Sequence, residues 1–196
     1  MHTLASSFVL GYHGCDESIA DKLLAGADFK ESTNAYDWLG HGIYFWEANP
    51  LRGLEFANEL KSNKRSAARI SKPTVVGAAI DLGLCLDLSS SAGIEQIKIA
   101  HRRLIQISEK ADFELPKNYS DGLRRNLDCA VIETLHQIRR EAGEPPIDVV
   151  RGVFLEGGPI YPSAGFCEKT HTQICVRTPE SIKGVFRVPK RHLSRA

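Results

Sequence analysis

The order of apolar and polar positions divides the chain into a strand-rich frame interrupted by a helical middle. Phe8 to Gly14 reads as a strand that carries Val9, Gly11 and His13 on one face and breaks at Gly14. Asp16 can cap a short helix whose Ile19, Leu23 and Leu24 form an apolar stripe and whose stop is Gly26. A polar loop with Ser32, Thr33 and Asn34 leads to Gly40-His41-Gly42, where two glycines let the backbone turn and release a strand, Ile43 to Trp46. Period two puts Ile43 and Phe45 on one face of that strand and Gly42, Tyr44 and Trp46 on the other. Asn49-Pro50 is a helix start, and Leu51, Leu54 and Leu60 mark the buried side of a helix that runs to about Lys61. The basic stretch Lys61 to Arg69 is expected to be solvated. Pro73 to Leu82 then reads as a strand closed by Gly83, after which the β pattern pauses.

From Ser90 to Gly143 the period becomes helical. Ile94, Ile97, His101, Leu104 and Ile105 make one amphipathic helix; Leu123, Leu127, Ala130, Val131, Leu135 and Ile138 make a second, capped by Asp121 and stopped at Gly143. Two long helices in a strand-rich chain read as an insertion at about 90–143, with a loop from Phe113 to Ser120 between them. Arg102, Arg103, Arg124, Arg125, Arg139 and Arg140 lie on or near it, as a solvated face or a phosphate-binding surface. Strands resume with Val149 to Glu156, ended by Gly157-Gly158-Pro159. A loop from Tyr161 to Lys169 follows. In the strand Thr170 to Arg177, Ile174 and Val176 point inward while His171, Gln173 and Cys175 share the other face. A last strand, Ile182 to Val188, precedes a basic tail with Lys190, Arg191 and Arg195.

Composition narrows the class. A chain of 196 residues fits a single domain, 1–196, able to bury about 70% of its unfolded surface. Twenty-five Lys+Arg against 24 Asp+Glu leave a net charge of +1, so bulk charge announces neither a nucleic-acid nor a membrane partner. Five widely spaced cysteines (Cys15, Cys85, Cys129, Cys167, Cys175) form no CxxC and no Cys/His cluster, which points to free thiols in a cytoplasmic protein without a metal. No basic-then-apolar leader opens the chain and no window approaches 18 apolar residues, so neither export nor a membrane span is expected.

Three strand-borne polar residues, His13, Tyr44 and Gln173, each lie opposite an apolar set. Each has an ordinary explanation: a satisfied structural histidine, an aromatic covering a sheet face, a surface amide. Together they form an ordered pattern. Tyr12-His13-Gly14, then Gly40-x-Gly42-Ile43-Tyr44-Phe45, then a strand holding Gln173, resembles the three-part signature of ADP-ribosyltransferases of the diphtheria-toxin and poly(ADP-ribose) polymerase branch, named for His, Tyr and Glu in that order.

The resemblance implies an α+β fold: a split antiparallel β-sandwich with NAD in the cleft and the two helices as an insertion. It also implies roles. His13 would hydrogen-bond the adenosine ribose, the Gly14 backbone would grip the nicotinamide amide, Gly42 would keep the wall clear, Tyr44 would stack on the nicotinamide and Phe56 would add a second aromatic wall. Gln173 stands where the family has Glu. It can hydrogen-bond a ribose hydroxyl but supplies no negative charge, so Glu156 is the candidate substitute carboxylate, ahead of Glu168. His171, on the face of Gln173, could help bind ribose or acceptor or pack against Tyr44. The expected activity is mono-ADP-ribosyl transfer from NAD to a macromolecular acceptor, RNA or DNA slightly ahead of protein, in a bacterial or phage-defence toxin with an antitoxin-like inhibitor. A non-catalytic NAD, ADP-ribose or RNA-binding module and an NAD glycohydrolase are the alternatives.

Overall fold

The computed structural model describes residues 7–63, 70–120 and 122–194. Asp121, the basic residues of 64–69 and Arg195 lie outside them. Seven strands, β1 (Phe8–Asp16), β2 (Ile43–Glu47), β3 (Pro73–Asp81), β4 (Cys85–Asp87), β5 (Val149–Phe154), β6 (His171–Val176) and β7 (Ile182–Arg187), form one mixed sheet in the order β4-β5-β6-β2-β1-β3-β7. With helices α1 (Glu17–Leu24), α2 (Pro50–Ser62), α3 (Ser91–Ala111) and α4 (Asn126–Glu141), the fold is α+β. All neighbouring strands run antiparallel except β4 and β5, which are parallel. The β4 strand has no counterpart in the sequence reading: three residues with one buried side chain, Leu86, are too short to alternate.

The predicted signals for α1 and α2 act as expected. Asp16 accepts from Ser18 N at the start of α1, Gly26 closes it with φ of 96°, and Asn49 accepts from Arg52 N with Pro50 first in α2. The buried side of α2 differs from the leucine stripe. Arg52, Gly53 and Ala57 are buried, whereas Leu51, Leu54 and Leu60 are only half-buried. The cause is backbone proximity: a Cβ on Gly14 would stand 2.0 Å from the carbonyl oxygen of Gly53, so α2 lies directly on β1 through a pair of glycines.

The α4 helix begins later than expected, and Leu123 is exposed outside it. Its first turn is capped from the preceding loop, where Asn118 Oδ1 accepts from Leu127 N at 2.9 Å and Asp128 N at 3.2 Å. The helical segment is integral to the core. Val131, Ile132 and Leu135 of α4, with Ala100 and Leu104 of α3, pack on Leu86, Val150 and Cys175 of the sheet. On the opposite sheet face, Ile43, Phe45, Ala78, Ile80, Val149, Ile174 and Val176 form a second apolar layer. Its partners come from strands and their flanking loops, Val9, Phe29, Leu82, Cys85 and Ile182, so the sheet coils to cover its own face. A Cβ on Gly11 would meet Ile80 and Phe45 at 2.5 and 2.8 Å; the glycine lets those two side chains meet across β1.

The join between the two halves of the sheet is short. β1 pairs with β3 over nine residues but with β2 only at Gly11↔Glu47 and Tyr12↔Trp46. Beyond Tyr12 the ladder is replaced by a side chain: His13 Nδ1 donates to the carbonyl of Tyr44 at 2.9 Å.

Candidate functional site

The topology brings the three motif strands together, since β6, β2 and β1 are consecutive in the sheet although they lie far apart in the chain. Their side chains diverge. His13 points to the face of Phe45 and Phe29, with ring centroids 5.7 and 5.4 Å away, and burial holds its imidazole below the usual histidine range. Gln173 stands opposite Trp46 in the β2–β6 register, and Tyr44 opposite Cys175, both on the face beneath α4. Of the two readings of Tyr44, an aromatic covering a sheet face is the one its packing matches. Its ring packs against the α4 core, its hydroxyl donates to Gly40 O at 2.8 Å and accepts from Leu39 N at 3.0 Å, and burial drives its pKa well above the ordinary phenol value. Gly42 is equally enclosed: a Cβ there would lie 2.6 Å from Val176 O and 2.7 Å from Cys175 Sγ.

Gln173 marks the start of a polar and aromatic band that runs along the sheet between α2 and α4. Trp38 Nε1 donates to Gln173 Oε1 at 2.5 Å, and the Trp38 ring covers Gly152, where a Cβ would meet it at 2.7 Å. Trp38 lies 4.9 Å from Phe154, Phe154 lies 5.6 Å from His171, His171 lies 6.2 Å from Trp46, and Trp46 lies 4.8 Å from Phe56. The Arg125 guanidinium sits over Phe154 at 4.8 Å, while its Nη1 pairs with Asp128 at 3.4 Å as the spacing predicts.

The Phe56 end of the band is ionic. Arg52, only 4% exposed, donates through Nη2 to both oxygens of Glu156 at 2.9 Å and to Glu59 at 3.3 Å. Lys169 Nζ stands 2.8 Å from Glu59 and 3.7 Å from Glu156. Glu156, the candidate acid, is therefore committed to a buried guanidinium. His171 donates from Nδ1 to its neighbour's carbonyl, Lys169 O, at 2.6 Å, and burial keeps the ring below the usual histidine pKa. Among the described residues, Trp46 Nε1, Arg52 Nε and Nη1, and His171 Nε2 in this band, with Asn126 Oδ1 and His136 Nε2 on α4, are buried without a hydrogen-bond partner. Such groups are rare in a folded chain and mark places built to meet another molecule or water.

Sequence reading picked out Phe56, His171 and Glu156 in this band but not Arg52, Trp46 or Trp38. The available signal was Gly53 and Ala57, small residues four apart on α2, which favour a close helix contact and place the preceding Arg52 under the helix. The five cysteines are free, and burial pushes the thiols of Cys15, Cys85 and Cys129 up to about 11, unsuited to nucleophilic work at neutral pH. No helix among the described residues is long and apolar enough to cross a membrane.

A second buried histidine gives a pH dependence. His136 on α4 faces Arg177, Glu133, Arg140 and Arg139; burial first, then the Arg177 cation, lowers its pKa to about 4. Histidine released by unfolding binds its proton near pH 6.5, so acid favours the unfolded chain. Stability is complete above that value and falls as the pH drops towards 4. Linkage assigns on the order of 1 kcal/mol to His136 at pH 5.5, and the lowered His13 and His171 act in the same direction. Urea midpoints at pH 7.5 and 5.5 should differ accordingly, and His136→Gln should reduce the difference.

Comparison with protein-family models, with characterised proteins and with solved structures gives no match.

Proposed function

We propose that the chain is a mono-ADP-ribosyltransferase that moves ADP-ribose from NAD to a macromolecular acceptor, nucleic acid or protein, on a split-sandwich fold of that class. One observation carries the reading: the Tyr12-His13-Gly14 and Gly40-x-Gly42-Ile43-Tyr44-Phe45 motifs occupy adjacent strands whose ladder stops after two pairs, with the Gln173 strand next in the sheet. A sheet that parts at the paired motifs is what a cleft for NAD between its halves requires. In the reaction the C1′–N1 bond of the nicotinamide ribose breaks and nicotinamide leaves neutral with the bonding pair. A lone pair of the acceptor atom forms the new bond to C1′, and the acceptor's proton passes to solvent or to a carboxylate. No general acid is needed at the leaving group; restraint of the ring and support of an oxocarbenium-like ribose are. Gln173 is the candidate to hydrogen-bond that ribose, through its amide N–H, its Oε1 being held by Trp38.

A binding-only reading is favoured by one feature, the capture of Gln173 Oε1 by Trp38, which leaves the third motif without a carboxylate. The two readings separate in one assay. Purified protein with labelled NAD and cell extract should release nicotinamide and label macromolecules, and nuclease or protease treatment identifies the acceptor. Thermal stabilisation by NAD without nicotinamide release establishes the binding module instead, and free ADP-ribose without labelled macromolecule establishes a glycohydrolase.

A further inference from the structure

The unpartnered atoms under α2 are not a random set. Arg52 Nε and Nη1 and Trp46 Nε1 are donors. His171 is the opposite: its Nδ1 bears the proton given to Lys169 O, so Nε2 of the neutral ring presents a lone pair. The atoms are close neighbours, with Arg52 Cζ 5.7 Å from the Trp46 ring centre and the Trp46 and His171 rings 6.2 Å apart. The charge of Arg52 is already met by Glu156 and Glu59, and Lys169 lies against the same carboxylates. What the cluster lacks is therefore not an anion. It lacks a neutral acceptor for two or three N–H groups and a donor for one nitrogen.

We propose that Arg52, Trp46 and His171 form a subsite for a primary carboxamide on an aromatic ring, its carbonyl taken by Arg52 and Trp46 and its N–H by His171 Nε2, with Phe56 and Trp46 beside the ring. A primary carboxamide offers a carbonyl and an N–H together without net charge. Resting on the NAD reading above, this relocates the nicotinamide end of the substrate from the position the resemblance implies. The Gly53 carbonyl lies against the Cα of Gly14, and the Tyr44 ring packs on the α4 core with its hydroxyl held by Leu39 N and Gly40 O.

Access exists. An open groove of about 700 Å³ lies between α2 and the β5–β6 loop, lined by Glu55, Asn58, Glu59, Ile160, Glu168 and Lys169. Two of these touch the cluster directly: Glu59 accepts from Arg52, and Lys169 O accepts from His171. The Lys169–Glu59 pair at the boundary has side chains 39% and 41% exposed and so is weakly held. The pair stands between the groove and the unpartnered atoms, and the groove carboxylates suit a cationic pyridinium.

The test uses the intact chain, with nicotinamide, benzamide and benzoate as probes in calorimetry at pH 7.5. Nicotinamide and benzamide should bind and benzoate should bind at least tenfold more weakly, because a carboxylate has no N–H for His171. Arg52→Met and His171→Phe should each weaken nicotinamide at least tenfold, with Arg52→Lys intermediate; circular dichroism checks that each variant is folded. Benzoate binding as tightly as benzamide would make the cluster an anion site and overturn the proposal, as would nicotinamide affinity unchanged in folded Arg52→Met. The outcomes also separate from the transferase reading. Nicotinamide release from NAD with no dependence on Arg52 or His171 sinks the subsite alone, whereas Arg52-dependent nicotinamide binding without any NAD turnover sinks the transferase alone.

Discussion

Replacing Tyr44 by alanine is expected to destabilise the protein by about 3–5 kcal/mol, the cost of deleting a large aromatic side chain from a core. The ring packs among the Leu39, Cys175 and α4 side chains. Its hydroxyl also closes the turn before β2, so truncation leaves Leu39 N and Gly40 O without their partner. For a chain of this length that loss corresponds to a fall of roughly 10 °C in melting temperature. Tyr44→Phe keeps the ring and removes only the two hydrogen bonds, with an expected loss of about 1–2 kcal/mol. Calorimetric melting of both variants checks the pair. If Tyr44→Ala melts within 2 °C of the parent, about 1 kcal/mol or less, the ring is not the core element described, and a stacking role on a ligand regains its standing. Loss of nicotinamide release in Tyr44→Ala measures unfolding unless the Phe variant loses it too.

How far the sequence discloses this molecule follows from what alternation can encode. Six of the seven strands are legible because each is long enough to show period two, and Asp16 and Asn49 announce α1 and α2 by the chemistry of their caps. Period two separates the faces of a strand but does not say which face is wet. Val9, Gly11 and His13 oppose Tyr12 and Gly14, yet one side is closed by the coiling of the sheet and the other by α2. This is why Tyr44 reads as turned away from the apolar face and yet packs against α4. Leucines drew the buried side of α2 towards Leu51 and Leu54, because hydrophobicity outweighs size in a periodic reading. The contact that sets the helix position is instead made by Gly14 against Gly53, and it carries Arg52 inward with it. A buried arginine is invisible to any apolar pattern. Its partner Glu156 was legible as a strand-end acid near two glycines, but its pairing depends on a contact 104 residues distant in the chain.

That pairing sets the second large effect. Glu156→Gln should cost about 3 kcal/mol, near the lower end of the penalty for stranding one member of a buried ion pair. The side chains of Arg52 and Glu156 are 5% and 12% exposed, so water replaces the lost carboxylate poorly. Glu59 remains at 3.3 Å as a partial partner and keeps the loss from growing further. Arg52→Met/Glu156→Leu should be more stable than Glu156→Gln, since removing both charges leaves neither uncompensated. Urea denaturation of the two singles and the double at pH 7.5 measures the coupling. A loss below about 1 kcal/mol in Glu156→Gln would place the pair with exposed salt bridges and contradict its burial. With the expected loss, reduced turnover in Glu156→Gln does not by itself make Glu156 the missing acid, because the same substitution releases Arg52 from its anchor. Only a variant that stays folded with Arg52 still held by Glu59 tests whether a carboxylate at this strand end reaches the ribose.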